Sequence, residues 1–276
     1  MTESLGGARV ALLEARRESE LASLVRRHGG EPVCVPALRE LETDCAEAVG
    51  KAVDAAGKTG AVVALATGAG VSRLLAVADA EGRGRELRDA LKTATVVCRG
   101  PKPIAVLKRE GLTAHVRAAP PHTTRELIAA LETLDLRDHD LVFVHDGGGA
   151  RTVPDWAAQR GARVVEVQPY AWALPEDVSA LESLVRDLVG GRVGAVLFTT
   201  QVQARHLFAV ADAIGEKDGL IAVLNGGVRV GAIGPTTASA IAESGVTPAV
   251  VPAQSSMGAL VLALARHLAV RADRQQ

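Results

Sequence analysis

Short β-branched runs alternate with amphipathic, Ala/Leu-rich segments from one end of this chain to the other. That alternation constrains the fold more than any other feature. The runs that read as strands are Val10–Leu13, Pro32–Val35, Ala61–Ala66, Thr95–Cys98, Ala114–Arg117, Leu141–His145, Arg163–Val167, Ala195–Phe198, Val230–Ile233 and Ala249–Val251. Helical patterns lie between most of them, as at Glu18–Arg27, Val71–Ala78, Arg125–Leu134 and Thr236–Glu243. Near-continuous apolar strands separated by helices specify parallel sheets covered on both faces. Ten strands fit two five-stranded doubly wound sheets better than one sheet of ten. The chain's 276 residues are enough for two such domains.

An internal repeat sharpens the division. GPKPIAVLKREG (Gly100–Gly111) and GPTTASAIAESG (Gly234–Gly245) each place Gly-Pro after a strand and a closing Gly at the same offset, where a left-handed cap would end a helix. The interval from Thr67 to Gly100 nearly matches that from Thr199 to Gly234. A strand–helix–strand unit also recurs out of order, once from Val10 and once ending at Tyr170. The simplest topology has residues 1–36 plus 174–276 as one discontinuous flavodoxin-like domain. Residues 37–173 are then an inserted flavodoxin-like domain with its linkers, and extended segments near Ala37–Glu42 and Tyr170–Pro175 run side by side.

Composition excludes several functions. Lys+Arg 31 against Asp+Glu 32 leaves a net charge of −1, so no overall basic field holds nucleic acid or an anionic membrane. Two Trp, one Tyr and three Phe are too few for a base-stacking platform. Cys34, Cys45 and Cys98 form no CxxC or Cys/His cluster and read as small buried hydrophobes in a reducing cytosol. The seven His include no HxH or HExxH pair, so no protein-ligated metal and no cofactor is expected. The start, MTESLGGARV, lacks a signal peptide's regions, and no apolar run reaches membrane-spanning length. A cytoplasmic monomer is the expectation.

In open α/β sheets ligands bind beyond the carboxyl ends of strands, where helix N-termini point N–H groups outward. Here those turns are rich in Gly and hydroxyl residues and poor in carboxylates: Thr67-Gly68-Ala69-Gly70, Gly100-Pro101, His122-Thr123-Thr124, Thr199-Thr200, Gly234-Pro235-Thr236-Thr237 and Gln254-Ser255-Ser256. Read singly, each is plain N-capping. Facing one cleft, together they suit an anionic ligand. Gly147-Gly148-Gly149 reads as a flexible turn. Thr67–Gly70 has two of the three glycines of a dinucleotide fingerprint and no acidic residue after the next strand, which disfavours a nucleotide-binding enzyme. No GxSxG elbow is present.

Ala232-Ile233-Gly234-Pro235-Thr236-Thr237-Ala238 resembles the AIGPTTA signature of the uroporphyrinogen-III synthase family. Phe198-Thr199-Thr200 is similar to the family's FTS turn, His28-Gly29-Gly30 through Pro36 to its N-terminal segment, and Tyr170 to its VY crossing. Three turns depart from the pattern: Glu14-Ala15-Arg16-Arg17 stands for TRP, Ala66-Thr67-Gly68 for a TS turn, and Pro103 for a Thr.

The resemblance implies two flavodoxin-like domains joined by a two-stranded linker. It also implies a lyase that converts hydroxymethylbilane, a linear tetrapyrrole with eight carboxylates, into uroporphyrinogen III for haem, sirohaem or cobalamin synthesis. Ring D would invert through a spirocyclic intermediate before closure with loss of water. By position, Thr236, Thr237, Thr199, Thr200, Ser255 and Ser256 would bind substrate from one domain, and Thr67, Gly68, Gly100, Thr123 and Thr124 from the other. Arg16 would add a cation, and Tyr170 would assist departure of the hydroxyl group. The alternative is a non-catalytic tetrapyrrole-binding regulatory module. Some relatives carry a fused DNA-binding domain after the synthase-like region; beyond the Met257–Val270 helix no such domain is expected here.

Overall fold

The apolar runs become strands because both faces of each sheet are covered, and a fully buried strand needs no polar face. Val62–Leu65 and Ala195–Phe198 are buried at every residue. Each large aliphatic side chain so placed contributes about 1.5–3 kcal/mol. A computed structural model describes residues 3–274, in two units: residues up to 39 with 173 onward, and residues 40–172.

The first unit contains β1 (Arg9–Leu12), α1 (Glu18–Arg27) and β2 (Glu31–Cys34). The linker strand β3 (Arg39–Glu42) leads into the second unit. That unit runs α2 (Ala46–Ala56), β4 (Val62–Leu65), α3 (Gly68–Ala80), α4 (Gly84–Thr93), β5 (Thr95–Cys98), α5 (Pro101–Arg109), β6 (Val116–Arg117), α6 (Thr124–Leu131), β7 (Asp140–Val144), α7 (Thr152–Ala158) and β8 (Arg163–Val167). The return strand β9 (Tyr170–Ala173) pairs with β3 in a two-stranded linker sheet. The first unit resumes with α8 (Ser179–Val189), β10 (Ala195–Phe198), α9 (Gln201–Ala213), α10 (Lys217–Asn225), β11 (Arg229–Ala232), α11 (Pro235–Glu243) and α12 (Met257–Arg274).

The second unit's parallel sheet is ordered β6-β5-β4-β7-β8. The first unit's is β11-β10-β1-β2, also parallel, with Val250 bridged to Gly231 outside β11. Counted in chain order with that bridge, the first unit reads 2-1-3-4-5, the flavodoxin-like order. The second is its circular permutation: β1-α1-β2 takes the place of β7-α7-β8. The expected fold class of two flavodoxin-like sheets holds.

Three readings need correction. Ala249–Val251 makes one bridge rather than a strand, because Pro248 and Pro252 flank it and carry no N–H for a ladder. The first unit's sheet therefore has four strands, not five. Ala114–Arg117 shortens to β6, followed by Pro120 and Pro121. Cys34 is only half-buried, on β2, whereas Cys45 and Cys98 are buried, and burial pushes the Cys98 thiol up to about 12.

The repeat closes as the sequence suggests. Gly100 and Gly234 are extended N-caps followed by Pro at the first helical position, and Gly111 (φ 69°) and Gly245 (φ 83°) take the left-handed conformation after each helix. Among the described residues no helix is long and apolar enough to cross a membrane, and no group of three or more His, Cys, Asp or Glu could hold a metal.

Candidate functional site

Parallel strands bring all their following turns to one edge of each sheet. In the second unit these turns are Ala66–Gly68, Arg99–Gly100, Ala118–Thr123, His145–Gly149 and Gln168–Tyr170. Thr67 caps α3 by accepting the Gly70 N–H (2.9 Å), and its Oγ1 lies 3.1 Å from the Tyr170 hydroxyl. Tyr170 is 2% exposed. Trp172 meets it edge-on at 5.4 Å, and the Arg73 guanidinium lies 5.6 Å from its ring centroid. Gly147 makes room for this ring. It has φ 82°, and a Cβ there would collide with Tyr170 and come within 2.9 Å of Trp172 Nε1. The glycine turn expected to be merely flexible is thus a built support for the tyrosine.

Beside it, Arg99 donates to Asp146 Oδ2 at 2.9 Å, with 20% and 21% of the two side chains exposed. Asp146 Oδ1 also accepts the Gly148 N–H (3.1 Å). Burial works to raise the Asp146 carboxyl, but the Arg99 charge and these hydrogen bonds hold it below the usual carboxylate range. Thr123 forms a capping box with Glu126, donating its own hydroxyl to that carboxylate. Gly68 and Gly100 are buried, and a Cβ on Gly68 would sit 3.0 Å from the Lys102 carbonyl, so that glycine permits close backbone approach.

In the first unit the edge comprises Leu13–Arg17, Val35–Ala37, Thr199–Thr200, Ile233–Gly234 and Pro252–Ser256. Glu14 accepts the N–H groups of Arg16 (3.2 Å) and Arg17 (3.4 Å), and its other oxygen accepts the Thr199 hydroxyl and Gln203 Nε2. Gln203 is 1% exposed, and its Oε1 accepts from the Thr199 N–H (2.7 Å) and the Thr200 N–H (3.2 Å). Thr200 in turn caps α9, and Ser256 caps α12 through the Ala259 N–H (3.2 Å). Thr237 is 4% exposed in the first turn of α11, with Thr236 half-buried beside it. Ser255 packs over Gly234, where an added Cβ would come within 2.5 Å of the serine Oγ.

A family model described as uroporphyrinogen-III synthase HemD matches residues 19–262. The chain belongs to the uroporphyrinogen-III synthase family. It is similar over most of both lengths to a crystallised mutant uroporphyrinogen III synthase from the extremely thermophilic bacterium Thermus thermophilus, at 27% identity and TM-score 0.79, covering 95% of this chain and 99% of that one. The uncharacterised Bacillus subtilis protein YjjA is 30% identical over 274 residues, 97% of this chain and 98% of its own. A 126-residue stretch, 46% of this chain and 48% of the relative, is 26% identical to the uroporphyrinogen-III synthase of Chlorobaculum parvum.

The hydroxyl donors at these edges differ in what they have left to give. A Ser or Thr hydroxyl that caps a helix uses a lone pair and keeps its O–H. Thr123 and Thr199 have given theirs to Glu126 and Glu14, and Thr67 shares a hydrogen bond with Tyr170. Thr124, Thr200, Thr236, Thr237, Ser255 and Ser256 have no acceptor for theirs among the described residues. Arg16 is exposed at the turn before α1. Sequence reasoning missed Glu14, Asp146 and Arg99. Gln203 and Glu126 were visible as the fourth residues of T-x-x-Q and T-x-x-E capping boxes.

Proposed function

We propose that this protein is a uroporphyrinogen-III synthase, converting hydroxymethylbilane to uroporphyrinogen III with inversion of ring D and loss of water. The family match along most of the chain carries the reading. The uncommitted hydroxyls at the helix N-termini support it, because a substrate with eight carboxylates needs local donors rather than a net-positive protein.

Thr236 and Thr237 bind side-chain carboxylates, with the N-terminus of α11 behind them. Thr200, Ser255 and Ser256 extend that row, and Thr124 supplies a hydroxyl from the second unit. Gly68 and Gly100 offer backbone N–H groups where a side chain would crowd the approach. Thr199 acts through Glu14 and Gln203 to hold its turn in shape, and Thr67 fixes Tyr170. Arg16 contributes a cation near the first turn. The Tyr170 phenol gives its proton to the departing hydroxide of the bilane, which leaves as water, and the later ring closure returns a proton from a pyrrole carbon. Selectivity over spontaneous closure to isomer I comes from the shape imposed on the chain.

The deciding assay supplies porphobilinogen and hydroxymethylbilane synthase, oxidises the products and resolves the isomers. The type III isomer is expected. Type I alone, with and without the protein, ends the reading, and type I alone with retained porphyrin binding favours a regulatory module. Tyr170→Phe is expected to lower kcat by about tenfold to a hundredfold, the scale of a lost general acid, while KM changes little. An unchanged kcat removes the phenol from the reaction.

A further inference from the structure

The two copies of the Gly-Pro turn differ in a way that has a chemical consequence. In the first unit the turn reads Ile233-Gly234-Pro235-Thr236-Thr237; in the second it reads Arg99-Gly100-Pro101-Lys102-Pro103. Both hydroxyls are replaced, and the apolar residue before the glycine becomes a guanidinium. A matching difference lies on the neighbouring turn. The turns after β1 and β7, which follow corresponding strands of the permuted sheets, each carry an acid, Glu14 and Asp146, and each acid accepts the N–H two residues ahead of it. Glu14 is then met by neutral partners, Thr199 and Gln203. Asp146 is met by Arg99.

We propose that Arg99 is a substrate-carboxylate ligand of the second unit, held in position by Asp146, and that it replaces the paired hydroxyls of the first unit. This rests on the synthase reading and deepens it. Arg99 follows β5 and Asp146 follows β7, with β4 between them, so the ion pair spans the carboxyl end of the central strand. One guanidinium nitrogen is committed to Asp146. Among the described residues the rest of the planar fork has no partner, and a fifth of the side chain reaches solvent. Asp146 is itself fixed, because Gly148 N–H holds its carboxylate and Trp172 Nε1 donates to its carbonyl at 3.1 Å. A guanidinium so oriented binds a second carboxylate in a forked geometry without reordering. Pro103, unlike Thr237, has no N–H, so this turn offers one backbone donor fewer than its counterpart.

The test compares wild type, Arg99→Gln, Arg99→Lys and Asp146→Asn in three readouts: isomer-resolved turnover, fluorescence titration with uroporphyrin III (the oxidised product) and urea unfolding. Arg99→Gln is expected to raise KM and the uroporphyrin Kd by about tenfold or more, with kcat within about twofold and a shallower salt dependence of Kd. Arg99→Lys keeps the charge and falls between. Asp146→Asn leaves the cation but frees it, so its loss of affinity is the smaller. If Arg99→Gln and Asp146→Asn shift the unfolding midpoint alike while KM and Kd stay at wild-type values, the pair is only structural and the proposal fails. Should wild type make no type III isomer yet bind uroporphyrin III through Arg99, the synthase reading falls and the ligand role of Arg99 stands. Wild type that neither reacts nor binds overturns both.

Discussion

The two sheets share one spatial arrangement of strands, related by circular permutation, yet their carboxyl edges solve the same problem with different chemistry. The first unit's edge is rich in neutral donors: Thr200, Thr236, Thr237, Ser255 and Ser256 have O–H groups to give, Glu14 is met by Thr199 and Gln203, and the cations Arg16 and Arg17 lie exposed at the turn before α1. The second unit's edge is ionic and filled: Arg99 pairs with Asp146, and Tyr170 is packed against Gly147, Thr67 and Trp172. Duplicated topology therefore fixes where donors sit and leaves their kind free to diverge. The first edge is built to yield hydrogen bonds, the second to hold a guanidinium and a phenol in place.

The largest test strikes the filled edge. Gly147→Ala forces a side chain into the left-handed region and into the Tyr170 ring, so a loss of about 3 kcal/mol or more is expected. Gly149→Ala is the control: φ is 67° but nothing lies within 4 Å of the added Cβ, so only the conformational cost of about 1–2 kcal/mol applies. Urea unfolding reads both. Equal losses would mean that the tyrosine is not tightly packed there.

On the open edge, if Thr236 and Thr237 hold substrate carboxylates as proposed, replacing both by Ala removes two hydrogen bonds to charged groups, about 3 kcal/mol in all. KM should rise by roughly two decades with kcat nearly kept, since both bonds hold substrate before and during reaction. Loss of kcat with KM unchanged would move these residues from anchoring to chemistry.

The sequence made the sheets legible because strands buried on both faces are written as unbroken apolar runs. It overcounted at Ala249–Val251, where flanking prolines leave an apolar run with only one bridge. At the edges it made the hydroxyls and their N-capping legible, since those interactions are local. It did not reveal Arg99–Asp146, 47 positions apart, or Glu14–Thr199, 185 apart. These pairs exist only because strand order places β5 and β7 on either side of β4, and β1 beside β10.

The ionic character of the second edge has a pH signature. A carboxyl held below its ordinary value favours the folded state when ionised. That contribution is complete above the unfolded-state value of about 3.9 and fades as pH falls through the lower folded value. Asp146→Asn should therefore be less stable than wild type at pH 7, with the gap narrowing toward pH 3. A gap that is constant with pH would show that Asp146 contributes by shape and hydrogen bonding rather than by charge.

The smallest effect separates the edges most cleanly. Thr123 and Thr200 both cap helices, so Ala at either should cost about 1 kcal/mol of stability. Their O–H groups differ, because Thr123 donates to Glu126 and Thr200 has no acceptor among the described residues. Thr200→Ala should therefore raise KM by several-fold in addition to lowering stability, while Thr123→Ala lowers stability alone. The same KM change in both would erase the distinction between committed and uncommitted hydroxyls, and with it the reason for assigning carboxylate binding to the uncommitted ones.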